Sequence, residues 1–351
     1  MSEVVQLEGE IMLVQLITQK QYNDEYQAEL DRLNQGAKAP VITTDSINQA
    51  FKLADEPDAT STVKILNNAI HYTEDSETYY FTSSTNPYTN NLSGNLFQVT
   101  YTNLRNSTYR GSKISKIVET VSDSTPTGNN VTVLDHSIYT NGTSDYFIRF
   151  DKNPVKGDMH STDITVSYQY YDANGHLIDF SNSNDAWLSI GSLNYDQGNE
   201  NSTAGVSEGV KAISGTAIKQ LAGSSVTVHP DGWAYCGYNN YGGTGINDGP
   251  NNWDKPNSPN AYYGAVVFQL TGTAAAIRQG MRAWGGANIS NDSNYHNSRL
   301  NNAWVIAATT LPQTKLQLKT TEAHYHYDVV MHLNFRRVLY CSQIMCFLIT
   351  S

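Results

Sequence analysis

Cysteine is nearly absent from the body of this 351-residue chain, in which Cys236 stands alone until Cys341 and Cys346. A secreted eukaryotic domain of this size usually carries disulfides, because extracellular conditions favour their formation. Surface proteins of Gram-positive bacteria usually lack disulfides. Cysteine usage therefore favours that class over a disulfide-stabilised domain.

Charge is also scarce, since Asp, Glu, Lys and Arg together make up only 16% of the residues. The net charge of −11 argues against a general electrostatic attraction to nucleic acid or anionic lipid, although a local basic patch remains open. Asn, Ser, Thr, Gly and Tyr take the place of charged residues, and Tyr (23) far exceeds Phe (9). This composition is typical of extracellular β-proteins.

Long apolar segments suited to a membrane are missing as well. The apolar residues 11–17 are too few to span a bilayer, so we expect no membrane insertion. No signal peptide opens the chain and no wall-sorting motif closes it. We therefore expect the chain to be a fragment of a longer protein.

One helix is predicted near the N-terminus. Tyr22, Tyr26, Leu30 and Leu33 are spaced as one helix face within residues 18–34, and Gly36 is a plausible stop. Residues 1–37 are interpreted either as the end of a helical stalk or as a capping helix that packs on the next domain.

Beyond about residue 60 the pattern becomes that of β-strands, rich in β-branched and aromatic residues and bounded by turn residues. An Asn-Gly turn inside residues 171–178 predicts a hairpin. Residues 205–221 are predicted to include a short helix. The segments predicted as strands are 99–102, 113–118, 145–150, 164–170, 186–190, 263–268 and 302–307.

Many strands with long connections predict an all-β sandwich over residues 38–318. The tail, residues 319–351, changes character: a His-Tyr-His-Tyr-Asp stretch gives way to an apolar, Cys-bearing run. We assign the tail no function.

Short catalytic or metal motifs are weak in this chain. Residues 205–209 fit G-x-S-x-G around Ser207, but a polar loop precedes them where a nucleophile elbow needs a buried strand. Asp172 with Asn174 is better explained by a hairpin turn than by a calcium loop. His324 and His326 lack a third ligand. We therefore predict that the protein is not an enzyme.

The segment 233–265 is the strongest candidate for a binding site. Its rings alternate with Asn and Asp, and sugars need this mixture of flat apolar faces and amide or carboxylate groups. Tyr263 and Trp304 lie inside strand patterns and are assigned to the core. The predicted ligand-binding residues are Trp233, Tyr238, Tyr241, Asn252, Trp253 and Tyr262.

The same loop is a candidate cation site. Asp248 and Asp254 put two carboxylates into a short segment rich in Gly and Pro, and Ca²⁺ prefers such oxygen ligands. The alternative is a plain loop in which these oxygens cap backbone N–H groups. We predict Ca²⁺ with Asp248 and Asp254 as ligands.

Three long blocks resemble a known family. They are VTYTNLRNSTYRGSKISKIV at 99–118, ITVSYQYYDANGHLID at 164–179, and WD followed by SPNAYYGA within 253–265. In this order they resemble the glucan-binding protein C and antigen I/II variable-domain family, wall-anchored adhesins of Gram-positive bacteria, to which aggregation substances are related. The resemblance implies a lectin-like β-supersandwich with a helical stalk, often with a metal near its pocket.

The resemblance implies adhesion at the cell surface, and three functions compete. The first is binding of a glucan or a host glycoprotein by a monomeric, wall-anchored domain. The second is binding of extracellular DNA or lipoteichoic acid, for which Lys113, Lys116, Lys152 and Lys156 are the available cations. The third is polysaccharide hydrolysis, for which Asp248 and Asp254 form the available carboxylate pair.

Overall fold

The structure is a computed structural model. It describes residues 2–7, 10–15, 19–85, 90–125, 148–154, 158–160, 163–197, 205–240, 253–254, 258–285 and 303–314. The chain divides into two compact units, and the larger one comprises residues 26–317. In the smaller unit, β1 (Ser2–Leu7) and β2 (Glu10–Gln15) form an antiparallel pair. No helix in the described part of the chain is long and apolar enough to cross a membrane.

Helix α1 (Gln19–Asn34) confirms the predicted N-terminal helix. Within the larger unit, the Tyr26 hydroxyl donates a hydrogen bond to Asp45 at 3.1 Å. The Asn34 side chain accepts a hydrogen bond from the backbone N–H of Val41 at 2.7 Å. The end of the helix is therefore held by the segment that follows it, as a capping helix would be.

A large antiparallel sheet contains eleven of the described strands and is the first layer of a sandwich. Its main path runs β18 (Thr227–Val228), β19 (Trp233–Tyr235), β16 (Gly205–Ser214), β21 (Ala275–Trp284), β13 (Asp163–Asp172), β10 (Ser112–Thr125), β8 (Leu92–Thr102) and β5 (Thr60–Ile65). Three short strands pair beside this path: β15 (Tyr195–Gln197), β9 (Thr108–Tyr109) and β4 (Phe51–Lys52).

A second sheet contains nine of the described strands. Its order is β3 (Val41–Ile42), β17 (Thr216–Leu221), β20 (Val266–Leu270), β14 (Trp187–Gly191), β22 (Ala303–Ala308), β12 (Asp158–His160), β11 (Ile148–Asp151), β7 (Thr78–Ser83) and β6 (Ile70–Glu74).

The hydrophobic core lies between the two sheets because alternate residues of each strand point inward. In β13, Ile164, Val166 and Tyr168 are buried in this core. The rings of Phe81 in β7 and Phe97 in β8 stack at 3.6 Å, which joins one sheet to the other. The predicted all-β sandwich is therefore confirmed.

Buried carboxylates fix the chain segments that surround the core. Glu56 accepts hydrogen bonds from the backbone N–H groups of Arg105, Asn106 and Ser107 at 2.6, 2.9 and 2.7 Å. Asp185 receives two hydrogen bonds from the Arg110 guanidinium. These contacts give the block 99–118 a structural role, since it supplies both a buried strand and the loop that the two carboxylates hold.

Most of the predicted strands are present, and two details of the prediction are wrong. Residues 205–221 form β16 and β17 instead of a short helix, because β16 pairs with β21 along its length and buries Val206 and Val210. Residues 261–264 form a 3₁₀ turn, so the strand predicted from residue 263 begins only at Val266. The hairpin with Gly175 at positive φ is present, and Asp172 and His176 share its closing hydrogen bond.

Candidate functional site

The buried side chain of Asn240 joins the loops at one end of the sandwich. Its Oδ1 accepts a hydrogen bond from the Tyr195 N–H at 2.9 Å. Its Nδ2 donates to the Leu193 carbonyl at 3.2 Å and to the Ser225 hydroxyl at 3.0 Å. Three loops therefore meet at one amide, which no local motif in the sequence indicates.

Trp253 lies in the interior of this loop assembly. Its ring is 1% exposed, and its indole N–H donates to the Asn240 carbonyl at 3.2 Å. The ring covers Gly264 so closely that a Cβ there would lie 1.9 Å from it. A buried ring has no open face for a sugar, so the prediction that Trp253 lines a ligand cleft is corrected to a packing role.

Trp233 is also buried, at a different place. It lies in β19, and the Arg282 guanidinium covers its ring at 3.1 Å from the ring centroid. The ring is 8% exposed. Its prediction as a ligand-binding residue conflicts with this packing, because the cation already occupies the face that a sugar would need.

Among the predicted rings within the described residues, Tyr238 is the one that is open, with 46% exposure. Its hydroxyl lies 3.4 Å from that of Tyr263, whose ring packs edge-on against Trp253 at 5.7 Å. Burial raises the pKa of Tyr263, so its hydroxyl keeps its proton at neutral pH. Tyr262 is 7% exposed and packs beside Gly223, so its prediction as a ligand-binding residue conflicts with its burial.

A polar cluster lies next to Trp253 in the chain. The Asn194 amide donates to Asp254 at 2.8 Å and to Ser192 at 3.3 Å. The Asn194 N–H donates to the buried Glu208 carboxylate at 2.9 Å. Ser192 adopts a positive φ of 62°, a backbone conformation that non-glycine residues seldom take. Sequence reasoning missed Ser192, Asn194 and Glu208, because their chain positions are distant from the aromatic loop.

The oxygen atoms of this cluster are of the type that binds a hard cation. Asp254 offers a carboxylate, and Asn194 offers an amide oxygen that is buried and has no hydrogen-bond donor in the described part of the chain. Ca²⁺ prefers such oxygens. Within the described residues no group of three His, Cys, Asp or Glu side chains comes together. Three of the predicted residues, Tyr241, Asp248 and Asn252, lie outside the described residues.

The G-x-S-x-G segment has no catalytic geometry. Ser207 is buried near the start of β16, where its hydroxyl donates to the Cys236 carbonyl at 2.7 Å and accepts from the Trp284 indole N–H at 2.9 Å. A nucleophile elbow needs an exposed serine between a strand and a helix. Burial raises the pKa of the neighbouring Cys236 thiol to about 11, so this thiol is unreactive as well.

The fold resembles solved adhesin domains. The adhesin domain of PrgB from Enterococcus faecalis aligns with a TM-score of 0.53 and 18% identity, over 82% of this chain and 97% of that one. Glucan-binding protein C of Streptococcus mutans, described as mediating adherence, aligns with a TM-score of 0.51 and 19% identity, over 85% and 88%. A DNA-bound structure of the PrgB domain aligns with a TM-score of 0.48 and 21% identity, over 64% and 71%.

The family assignment comes from the sequence of the domain as a whole. Residues 34–307 match the glucan-binding protein C family. This range runs from the last residue of α1 through both sheets and the loops that Asn240 joins. The chain therefore belongs to the glucan-binding protein C family.

Proposed function

We propose that this domain is a cell-surface adhesin module that binds a neutral, hydroxyl-rich polysaccharide of the glucan class at the Asn240-centred loops. The observation that carries the proposal is the open ring of Tyr238, supported through Tyr263 by the buried Trp253. An exposed ring on a rigid base can stack on the C–H face of a sugar at little entropic cost.

The polar groups beside this ring suit sugar hydroxyls. Asn194 and Asp254 supply an amide and a carboxylate group, and the described residues of the site include no Lys or Arg. Carboxylates repel a polyanion and accept hydrogen bonds from hydroxyl groups. This chemistry supports a neutral glycan, from a glucan or a host glycoprotein, over DNA or lipoteichoic acid at this site.

The proposal includes a resident cation and a wall-anchored parent protein. Asp254 and Asn194 would hold Ca²⁺ in this loop, where it would stabilise the loop conformation. The family of adhesins supports display at the cell surface. The domain binds its glycan without cleaving it, since Ser207 is committed to hydrogen bonds inside β16.

The test is calorimetric titration of the domain with dextran, a soluble glucan. Tyr238→Ala should weaken binding by about 1–3 kcal/mol, the size of an aromatic contact at a binding site. Tyr22→Ala is the matched control, because Tyr22 on α1 has the same 46% exposure. Equal affinity of wild type and Tyr238→Ala would refute the proposed site.

The same samples test catalysis. Prolonged incubation with dextran should leave its chain length unchanged in size-exclusion chromatography. Shortened chains whose formation is abolished by Asp254→Asn would show a hydrolase instead.

A further inference from the structure

The strand register sorts charges onto one face of the large sheet. Directly paired residues of neighbouring strands point to the same face. Lys64, Gln98, Thr120 and Ser167 are paired in one row across β5, β8, β10 and β13. Their sequence neighbours Val99, Val121 and Val166 point into the core. The row therefore lies on the outer face of the sheet, away from the second sheet.

This outer face is basic although the protein is acidic. Its cations are Lys64, Lys116, Lys211, Arg278 and Arg282, and the carboxylates close to them are Asp163, Asp123 and Asp231. Five cations against three carboxylates give a formal charge of +2 on a chain of net charge −11. Glu119 and Glu208, on strands of the same sheet, alternate to the inner side and are buried.

Among the described residues Lys64, Lys116 and Lys211 form no salt bridge, whereas Asp163 and Asp123 act electrostatically on Arg278. Arg282 forms a buried ion pair with Asp163 at 2.6 Å. Lys211 donates to the Asp231 carbonyl, and Arg278 donates to the hydroxyls of Thr165 and Thr125. Lys211 and Arg278 are direct cross-strand neighbours. Like charges in this position are destabilising, and a bound anion would offset the cost.

The rings on the same face are already covered. Arg282 lies over Trp233, and Lys116 lies 3.6 Å from the centroid of the Tyr171 ring. His229 stacks on Tyr235 at 3.7 Å. Stacking of unpaired bases, which single-stranded nucleic acid requires, is therefore blocked at these three rings.

The spacing of the cations also distinguishes between an acidic polysaccharide and duplex DNA as ligands. Strands lie about 4.8 Å apart, so cations on β5, β10, β21 and β16 are roughly 5–10 Å from strand to strand. Duplex DNA carries one charge per about 1.7 Å of axis, which is much denser. Between the cations the face offers hydroxyl and amide groups that suit sugar hydroxyls: Thr62, Gln98, Thr100, Thr120, Ser122, Ser167 and Gln169.

We propose that the outer face of the large sheet is a second binding surface, which takes an extended acidic polysaccharide with carboxylates on its sugar rings. The cations pair with the carboxylates, and the Thr, Ser and Gln side chains contact the sugar hydroxyls. This surface uses residues other than those of the Asn240-centred loops, and it would give the adhesin domain a second class of glycan ligand.

The test uses polygalacturonate as the probe, with affinity measured at low and high salt. Lys116→Ala and Lys211→Ala should each weaken binding about threefold, the size of an exposed ion pair. The double variant Lys116→Glu, Lys211→Glu should lose most of the affinity and most of its salt dependence. Lys219→Ala, in β17 of the other sheet, is the matched control and should bind as wild type does. Melting curves confirm that each variant is folded.

Dextran and a DNA oligonucleotide serve as control ligands. Dextran affinity should be unchanged in the lysine variants, whatever the outcome for Tyr238→Ala, so the two sites are tested independently. Failure of the wild type to bind polygalacturonate at low salt overturns the proposal, as does unchanged affinity in the double variant. Tighter binding of a DNA oligonucleotide, lost in the same double variant, would assign the face to nucleic acid instead.

Discussion

Glu56 keeps its negative charge inside the fold because three backbone N–H groups point at it. Burial by itself raises the pKa of this carboxyl, but the hydrogen bonds from Arg105, Asn106 and Ser107 outweigh burial and hold the pKa below its ordinary value of 4.5. The carboxylate therefore stabilises the loop before β9, in which Asn103 has a positive φ of 55°.

The pKa of Glu56 makes a prediction about stability and pH. Because its folded pKa is lowered, its contribution is complete above 4.5 and is lost as pH falls through the folded pKa. Glu56→Gln should lower the free energy of unfolding by about 1–3 kcal/mol at neutral pH. In urea titrations the difference between the two proteins should shrink in acid. A constant difference down to the acid limit would contradict this role.

The burial of Trp253 changes its interpretation from a ligand-binding residue to a packing residue. Because its ring fills the interior, Trp253→Ala should lower the free energy of unfolding by about 3–5 kcal/mol, the usual cost of removing a large buried ring. Tyr238→Ala should change stability much less, since its ring is exposed. Chemical denaturation of both variants checks this contrast. An unchanged free energy of unfolding for Trp253→Ala would contradict the packing role and support a ligand-binding role for Trp253.

At the scale of elements, the loop that carries Trp253 is held in place by a glycine in the turn before β20. A Cβ at Gly264 would overlap the indole, whereas a Cβ at Gly191, at the end of β14, would meet nothing within 4 Å. The SPNAYYGA segment therefore needs a glycine at position 264, because the indole of Trp253 packs against it.

This contact gives a prediction for the loop. Gly264→Ala should displace Trp253, cost about 1–3 kcal/mol in stability and weaken dextran binding through the Tyr263–Tyr238 support. Gly191→Ala should leave both properties unchanged. Denaturant unfolding and calorimetry measure the two effects. A folded Gly264→Ala with wild-type binding would show that the loop is not coupled to the ligand site.

At the scale of the whole molecule, a cation bound only by the native state would raise global stability. If Asp254 contributes to a Ca²⁺ site, calcium at a hundredfold excess over its Kd should stabilise the protein by roughly 2.7 kcal/mol. Thermal melts with Ca²⁺ and with a chelator should differ for the wild type and for Asp172→Ala, but not for Asp254→Ala. Asp172 is a suitable control because its carboxylate caps the N–H groups of a hairpin turn. Identical calcium shifts in all three proteins would place the ion elsewhere.

Local patterns in the sequence were sufficient for the fold class and for many elements. The helix over 19–34 and strands such as β13 follow from side-chain periodicity, which depends on near neighbours in the chain. A short helix is predicted within residues 205–221, which contain β16, because the small residues of β16 carry little local preference. Its strand conformation comes from β21, which lies about 70 residues away and supplies the hydrogen bonds.

The sequence by itself determined that this is an all-β adhesin-type domain with an aromatic, amide-rich loop, because composition, alternation and long blocks are properties of the chain. Only the tertiary structure decided which rings of that loop are open. Trp253 is buried and Tyr238 is exposed because Asn240, Gly264 and Tyr263 close around the first ring and leave the second at the surface. The structure likewise decided the face of each charge: strand register directs Lys116 and Lys211 outward and Glu119 and Glu208 inward, and register depends on partners distant in sequence.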